Sequence, residues 1–340
     1  DDGKFFKLVC GAGNEDAEEV KRLTVLYTLA GAKGLDISAN LEVVKKCVEG
    51  IDLAFQLAKE FNIPLKIRPW ITVSVGMKGD HHVRKATINP LNCIRCKLCI
   101  SSCPTGAIPD ELIINKTKCI GCGHCGAICP KNNVISYNHN SKVLKEILPQ
   151  CLDLGVENFE LHAAIANDDS IMEEWKLVNE INKEGHNSMC LDRLHLSDFA
   201  LETRIKKAKE IAGKRLIIQA DGYPMSGGKD DYNTTLQAVA IADIINKRFN
   251  KSKDKKTKQP TYKDKQDVNI LLSGGTNSLT TKLADQSDVW WHGSSIGTFA
   301  RNLVKDIIKQ NAFYDNRDLI FQGYKIAKDL VISNIGEIYE

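Results

Sequence analysis

The sequence predicts an α/β protein, a (β/α)8 TIM-barrel-like domain with a small cysteine-rich domain inserted after its third strand. Three observations carry this expectation. Eight apolar β-type runs alternate with stretches of helical periodicity. Eight of the 12 cysteines fall within the 37 residues from Cys93 to Cys129. The composition, 43% hydrophobic with a formal charge of +3 over 340 residues, suits a chain with a sizeable core. The expected division is 1–79 for the first part of the barrel, 80–140 for the inserted domain, and 141–340 for the rest of the barrel and its closing helices. An open doubly wound sheet is the alternative.

The strands are expected at Phe5–Val9, Leu35–Ile37, Leu65–Val75, Asn158–Leu161, Ser188–Leu191, Arg215–Gln219, Val268–Leu272 and Val289–Trp291. The first helix is expected from Asn14, with Glu15, Asp16, Glu18 and Glu19 at the positive end of its dipole. Others follow at Leu41–Phe61, Val143–Leu154, Ile171–Lys183, Leu201–Ala212 and Thr234–Phe249. Shorter ones fit Leu279–Ala284 and Leu303–Gln310, and Tyr324–Leu330 and Val331–Ile338 read as closing helices. The segment Lys247–Asp267, with nine Lys or Arg and almost no apolar residue, reads as a solvated loop, either an inert linker or a contact for an anionic surface.

The cysteine block is a repeat. Cys93-Ile-Arg-Cys96-Lys-Leu-Cys99-Ile-Ser-Ser-Cys103-Pro104 is followed by Cys119-Ile-Gly-Cys122-Gly-His-Cys125-Gly-Ala-Ile-Cys129-Pro130, and both are C-x2-C-x2-C-x3-C-P. Three thiolates at two-residue gaps wrap three corners of a cubane, and the fourth corner comes from elsewhere. In two-cluster proteins of this spacing the fourth cysteine of each run ligates the other 4Fe-4S cluster. The expected ligand sets are therefore Cys93, Cys96, Cys99 and Cys129 for one cluster, and Cys119, Cys122, Cys125 and Cys103 for the other. Zinc is the alternative, but eight cysteines in two identical runs exceed what zinc sites need. His124 is expected beside the second cluster rather than on it. The other four cysteines, Cys10, Cys47, Cys151 and Cys190, lie in apolar segments and read as core.

Short apolar segments flank the runs: Ala86–Pro90 and Leu112–Lys116 before them, Ala107–Ile108 and Val134–Tyr137 after them. Residues 83–138 resemble the two-cluster bacterial ferredoxin family. Seven Lys or Arg against two acids make this segment basic, so the clusters are expected to be less reducing than those of an acidic ferredoxin.

In barrels of this class function sits at the C-terminal ends of the strands. Ser273–Ser278 and His292–Thr298 carry glycines that allow close backbone approach, so Gly274, Gly275, Gly293, Ser294, Ser295 and Gly297 are candidate phosphate- or FMN-binding residues, resembling the phosphate cup of flavin-binding barrels. Cys10, Asp36, Arg68, His162, Asp192, His195 and Asp221 are the polar groups expected near other strand ends, with Arg68 a candidate beside a flavin ring. No nucleophile–base pair is legible. Asp221–Gly228 reads as a functional loop.

The whole chain resembles the cyanobacterial LdpA family, on the two cysteine runs, Asn158–His162, Gln219–Gly228 and Gly293–Arg301. That resemblance implies a redox sensor whose clusters report electron-transport status to circadian clock input proteins. An iron–sulfur flavoenzyme of the dihydropyrimidine dehydrogenase type is the second reading, and clusters that only staple the fold a third. No run is long and apolar enough to span a bilayer, the N-terminal Asp1–Phe6 carries no secretory pattern, and clustered cysteines indicate a reducing compartment, the cytoplasm. The small net charge gives no reason to expect nucleic acid.

Overall fold

In the computed structural model the described residues are 5–76, 85–116, 118–119, 123–138, 144–163, 168–193, 196–222, 231–250 and 268–336. Cys122, His195, the loop 223–230 and the basic segment 251–267 lie outside them.

Eight parallel strands close a barrel: β1 (Phe5–Val9), β2 (Gly34–Ser38), β3 (Trp70–Gly76), β6 (Asn158–His162), β7 (Asn187–Leu191), β8 (Leu216–Asp221), β9 (Asn269–Ser273) and β10 (Gly293–Ile296), with β10 returning to β1. Parallel strands are covered on both faces, which is why they read as near-continuous apolar runs. Around them lie α1 (Ala17–Leu29), α2 (Leu41–Glu60), α5 (Leu144–Asp153), α6 (Asp168–Ile181), α7 (Asp198–Ala212), α8 (Asp231–Arg248), α9 (Thr280–Gln286), α10 (Thr298–Leu303), α11 (Lys305–Ile308) and α12 (Arg317–Ile335). Helix starts are fixed by side-chain caps: Asp16 accepts from the Glu19 amide, Asn40 from Glu42 and Val43, Ser197 from Ala200 and Asn316 from Leu319.

Between β3 and β6 stand β4 (Lys85–Ile88), α3 (Leu98–Ser101), α4 (His124–Ile128) and β5 (Ile135–Asn138). β4 and β5 form an antiparallel pair, and Ala86, Ala107, Ile108, Leu112, Ile114, Cys119 and Cys125 make a core separate from the barrel's. β3 pairs directly with β6, from Thr72 with Asn158 to Gly76 with His162. The barrel therefore closes without the cysteine-rich segment.

Four expectations are corrected. The eighth barrel strand is Gly293–Ile296, not Val289–Trp291. A Cβ at Gly293 would lie 2.3 Å from the Phe5 carbonyl oxygen, so close approach to β1 selects glycine here and disguises the strand as a loop. The third strand begins at Trp70, not Leu65, because Pro64 and Pro69 lack the amide a ladder needs. The two closing helices are one, α12, whose buried Ile320, Tyr324, Ala327 and Val331 keep a single helical spacing through residues 330 and 331. The first helix starts at Ala17, since Asp16 is its cap and Asn14 and Glu15 precede it.

Candidate metal centre and barrel mouth

The cysteine runs wrap two cavities. One is lined by Cys93, Cys96, Cys99 and Cys129 with Ile88, Leu112, Val134 and Ile135. The other is lined by Cys103, Cys119 and Cys125 with Ala86, Ala107, Ile108 and Ile114. In each, a cysteine from one run crosses to the other run's loop. Backbone amides already aim at sulfur: Arg95 N–H donates to Cys93 Sγ (3.4 Å), Ala107 N–H to Cys103 Sγ (3.3 Å) and Ala86 N–H to Cys119 Sγ (3.5 Å). Burial pushes the Cys103 thiol up, but hydrogen bonds from Thr105 and from the amides of Thr105, Ala107 and Gly106 outweigh it and leave the thiol below its usual range. Converging thiols, apolar walls and N–H donors fit an iron–sulfur cluster in each cavity.

The two loops are alike but not equal. Arg95 (φ 54°) and Lys97 (φ 62°) hold left-handed backbone where the second run has glycines, Gly121 and Gly123. Left-handed backbone is costly for residues with a Cβ, so this conformation is imposed by the loop's wrap. Tyr137 steadies the second loop, its hydroxyl donating to the Gly123 carbonyl (3.2 Å).

Lys85 ties this segment to the barrel. Its Nζ donates to the Cys119 carbonyl (2.7 Å) and to the Gly13 carbonyl (2.7 Å), just beyond the C-terminal end of β1, and Glu15 lies 3.7 Å away. Burial draws this ammonium down from the usual lysine value, against the pull of Glu15 and Cys119.

Inside the barrel the polar groups form two sets. Lys7 Nζ lies 2.5 Å from Asp36 Oδ2 and 2.9 Å from Glu160 Oε2, and Ser74 Oγ donates to Asp36 Oδ1. Burial works against the Lys7 ammonium, but the two carboxylates outweigh it and hold Lys7 above the usual range. Burial and then Glu160 push the Asp36 carboxyl up, while Lys7 holds Glu160 down against its own burial. Lys7 and Glu160 were not among the expected site residues. The signal was present, since each is a lone charge inside an apolar strand, FFKLV and NFELH.

The second set stands at the C-terminal ends of β6, β7 and β8. His162 Nε2 is 3.4 Å from Asp221 Oδ2, and the Cys190 thiol donates to the same oxygen at 3.2 Å. His162 and Asp221 were expected at strand ends and lie there, Asp36 was expected near one and lies in the middle of β2, and Cys190 was assigned to the core. Cys10, Cys47 and Cys151 are buried core residues. Arg68 is corrected: it precedes β3, pairs with Glu157 ahead of β6 (2.5 Å), and so lies at the N-terminal end of the barrel.

The phosphate-cup residues divide. Gly293, Ser294 and Ser295 lie within β10, paired to β1 and β9, so their backbone serves the ladder rather than an anion. Gly274 (φ 63°) and Gly275 (φ 60°) follow β9, and Gly297 precedes α10. A Cβ at Gly274 would fall 1.4 Å from Asp221 Oδ1, so this glycine makes room for the Asp221 carboxylate.

The family model for a 4Fe-4S binding domain matches residues 86–108, which hold the first cysteine run. Fold and site together define an iron–sulfur protein built on a parallel (β/α)8 barrel. Over 90% of its length the chain is 27% identical to Light dependent period A of the cyanobacterium Synechococcus elongatus, covering 83% of that protein, and the resemblance read from the sequence holds. Among solved structures, it is similar to QR15, an aldolase (TM-score 0.47, 8% identity, 87% of this chain and 91% of that one). It is also similar to the YdjI aldolase of Escherichia coli (TM-score 0.47, 8% identity, 97% and 89%). At such scores neither carries an argument, and the barrel rests on its own strand order.

Proposed function

We propose that this chain is a two-cluster redox sensor and electron-transfer protein that passes photosynthetic redox state to a partner in circadian clock input. The observation that carries the reading is the sorting of cysteines across runs, Cys129 with Cys93, Cys96 and Cys99, and Cys103 with Cys119 and Cys125. Cys122 completes the second set on the spacing of its run. When bound, the clusters supply one-electron oxidation and reduction. The chain does the rest. Its amides stabilise sulfur charge, its basic residues favour the reduced state, and its apolar walls exclude water. Leu91, Ile94, Leu98, Ile113 and Ile128 are exposed apolar side chains around this segment, and Cys96 is exposed with them, which suits docking of a redox partner protein. The light-dependent link rests on the name of the relative. The cytoplasm is the compartment that keeps such thiols reduced.

The test is iron and sulfide analysis of anaerobically purified protein. About eight of each per chain, reversibly reduced, is expected. Cys129→Ala should lose the cluster held by the first run and Cys103→Ala the cluster held by the second. About four of each in the parent, or loss of the wrong cluster, sinks the assignment. Capture of partners under oxidised and reduced conditions then tests the sensing.

A flavin reading keeps one supporting observation, the paired positive-φ glycines Gly274 and Gly275 after β9, together with buried Ser294 and Ser295 hydroxyls on the neighbouring β10 that have no hydrogen-bond partner among the described residues. Stoichiometric FMN released from the purified protein would favour it over pure electron transfer, with Gly274, Gly275 and Gly297 as the phosphate contacts.

A further inference from the structure

His162, Cys190 and Asp221 come from three consecutive strands at the C-terminal mouth of the barrel. His162 and Cys190 are Cα partners in the ladder, and Asp221 ends the next strand. All three are buried, and their potential donor atoms lie within 4.8 Å of one another. We propose that they bind a zinc-type divalent cation, separate from the iron–sulfur clusters, with its fourth coordination position open.

Geometry comes first. Donor atoms around a tetrahedral zinc, with bonds of about 2.0–2.3 Å, stand roughly 3.3–3.8 Å apart. Nε2 of His162 to Oδ2 of Asp221 is 3.4 Å, and Sγ of Cys190 to the same oxygen is 3.2 Å. The three side chains therefore need only small rotations to face one ion. Donor chemistry comes second. One imidazole, one thiolate and one carboxylate make a mixed N, S and O set that suits zinc, whereas Ca2+ and Mg2+ take oxygen.

A third observation separates the site from a hydrogen-bonded cluster of ordinary core residues. Asp221 Oδ1 is buried and has no hydrogen-bond partner among the described residues. An unsatisfied buried carboxylate oxygen is costly, and a cation or its bound water supplies the missing partner. Gly274 is part of the same construction, since any side chain there would occupy the position of Oδ1. Three protein ligands with an open position describe the catalytic rather than the structural type of zinc site. The site also lies beside the root of the cysteine-rich segment, because Gly76, the last residue of β3, is the Cα partner of His162.

The test is element-specific. The anaerobic iron–sulfur protein is equilibrated with chelator-buffered zinc, washed, and measured for zinc, iron and sulfide and by X-ray absorption at the zinc edge. The expected result is one zinc per chain at undiminished iron, with a first shell of one sulfur at about 2.3 Å and the remainder nitrogen or oxygen at about 2.0–2.1 Å. No retained zinc overturns the proposal, and so does an all-sulfur shell, which would place zinc in the cysteine runs. Cys190→Ser, Asp221→Asn and Gly274→Ala should each weaken zinc binding at least tenfold while iron and sulfide stay at parent values. Zinc affinity equal to the parent's in folded variants also overturns it. The absorption measurement on the parent stands if a variant fails to fold.

Discussion

Lys7 is a lysine in the middle of the apolar strand FFKLV, and it is buried against two carboxylates from β2 and β6. Such an ion set contributes little net stability when intact but is costly to break. Lys7→Met strands Asp36 and Glu160 together in the barrel, and it should cost about 3–5 kcal/mol in denaturant unfolding of the anaerobic protein. Replacing all three groups with apolar residues of similar volume should recover most of that loss. Glu174 on α6 makes a second residue-scale case. Burial, helped by the Glu173 charge, pushes its carboxyl up to about 7. Between about 4.5, the ordinary value, and about 7, the folded chain binds more protons than the unfolded chain. This carboxyl therefore takes stability away as pH rises through that window and has no effect below it. Glu174→Gln should match the parent near pH 4 and exceed it near pH 8, read as denaturant midpoints at both values.

At the scale of elements, the cysteine runs were the most legible part of the chain, because their spacing is local and the wrap it dictates is local too. The asymmetry between the loops was legible as residue types but not as strain. Arg95 occupies left-handed backbone and adds a charge in the loop of the first run, where the second run carries an uncharged glycine, Gly121. An exposed charge interaction is worth roughly 0.2–1 kcal/mol, or about 10–45 mV for one electron. On the proposed two-cluster reading, Arg95→Gly should lower the midpoint potential of the cluster in the first cavity by about that amount, measured by redox titration with the other cluster as internal reference. The eighth strand was misplaced because Gly293-Ser294-Ser295-Ile296 lacks β-branched bulk, and the demand for glycine comes from Phe5, nearly the whole chain away. His162 and Asp221 stood out individually. Their convergence with Cys190 depends on the register of β6, β7 and β8, which no single stretch of sequence contains.

For the whole molecule, the direct pairing of β3 with β6 makes the barrel topologically complete without residues 77–143. β3, α5 and β6 then form an ordinary parallel strand–helix–strand unit. Replacing 77–143 with a short flexible linker should leave a chain that unfolds cooperatively by circular dichroism and binds no iron, and an aggregated or molten product would show that the inserted segment is needed to fold. The eightfold alternation predicted this architecture from sequence, and the closing helix α12 completes it by burying Leu319, Ile320, Tyr324 and Leu330.

Lys85 gives the assembly a property that neither part has alone. One ammonium holds carbonyls from both sides, Cys119 next to a cavity and Gly13 at the end of the first barrel strand. On the proposed two-cluster reading, each electron added near Cys119 strengthens the hold on that ammonium, and each electron removed relaxes it. The β1–α1 turn thus acts as a gauge needle for the charge next door. Amide exchange at Asn14 and Asp16 should slow on reduction and quicken on oxidation, and Lys85→Met should leave the needle still.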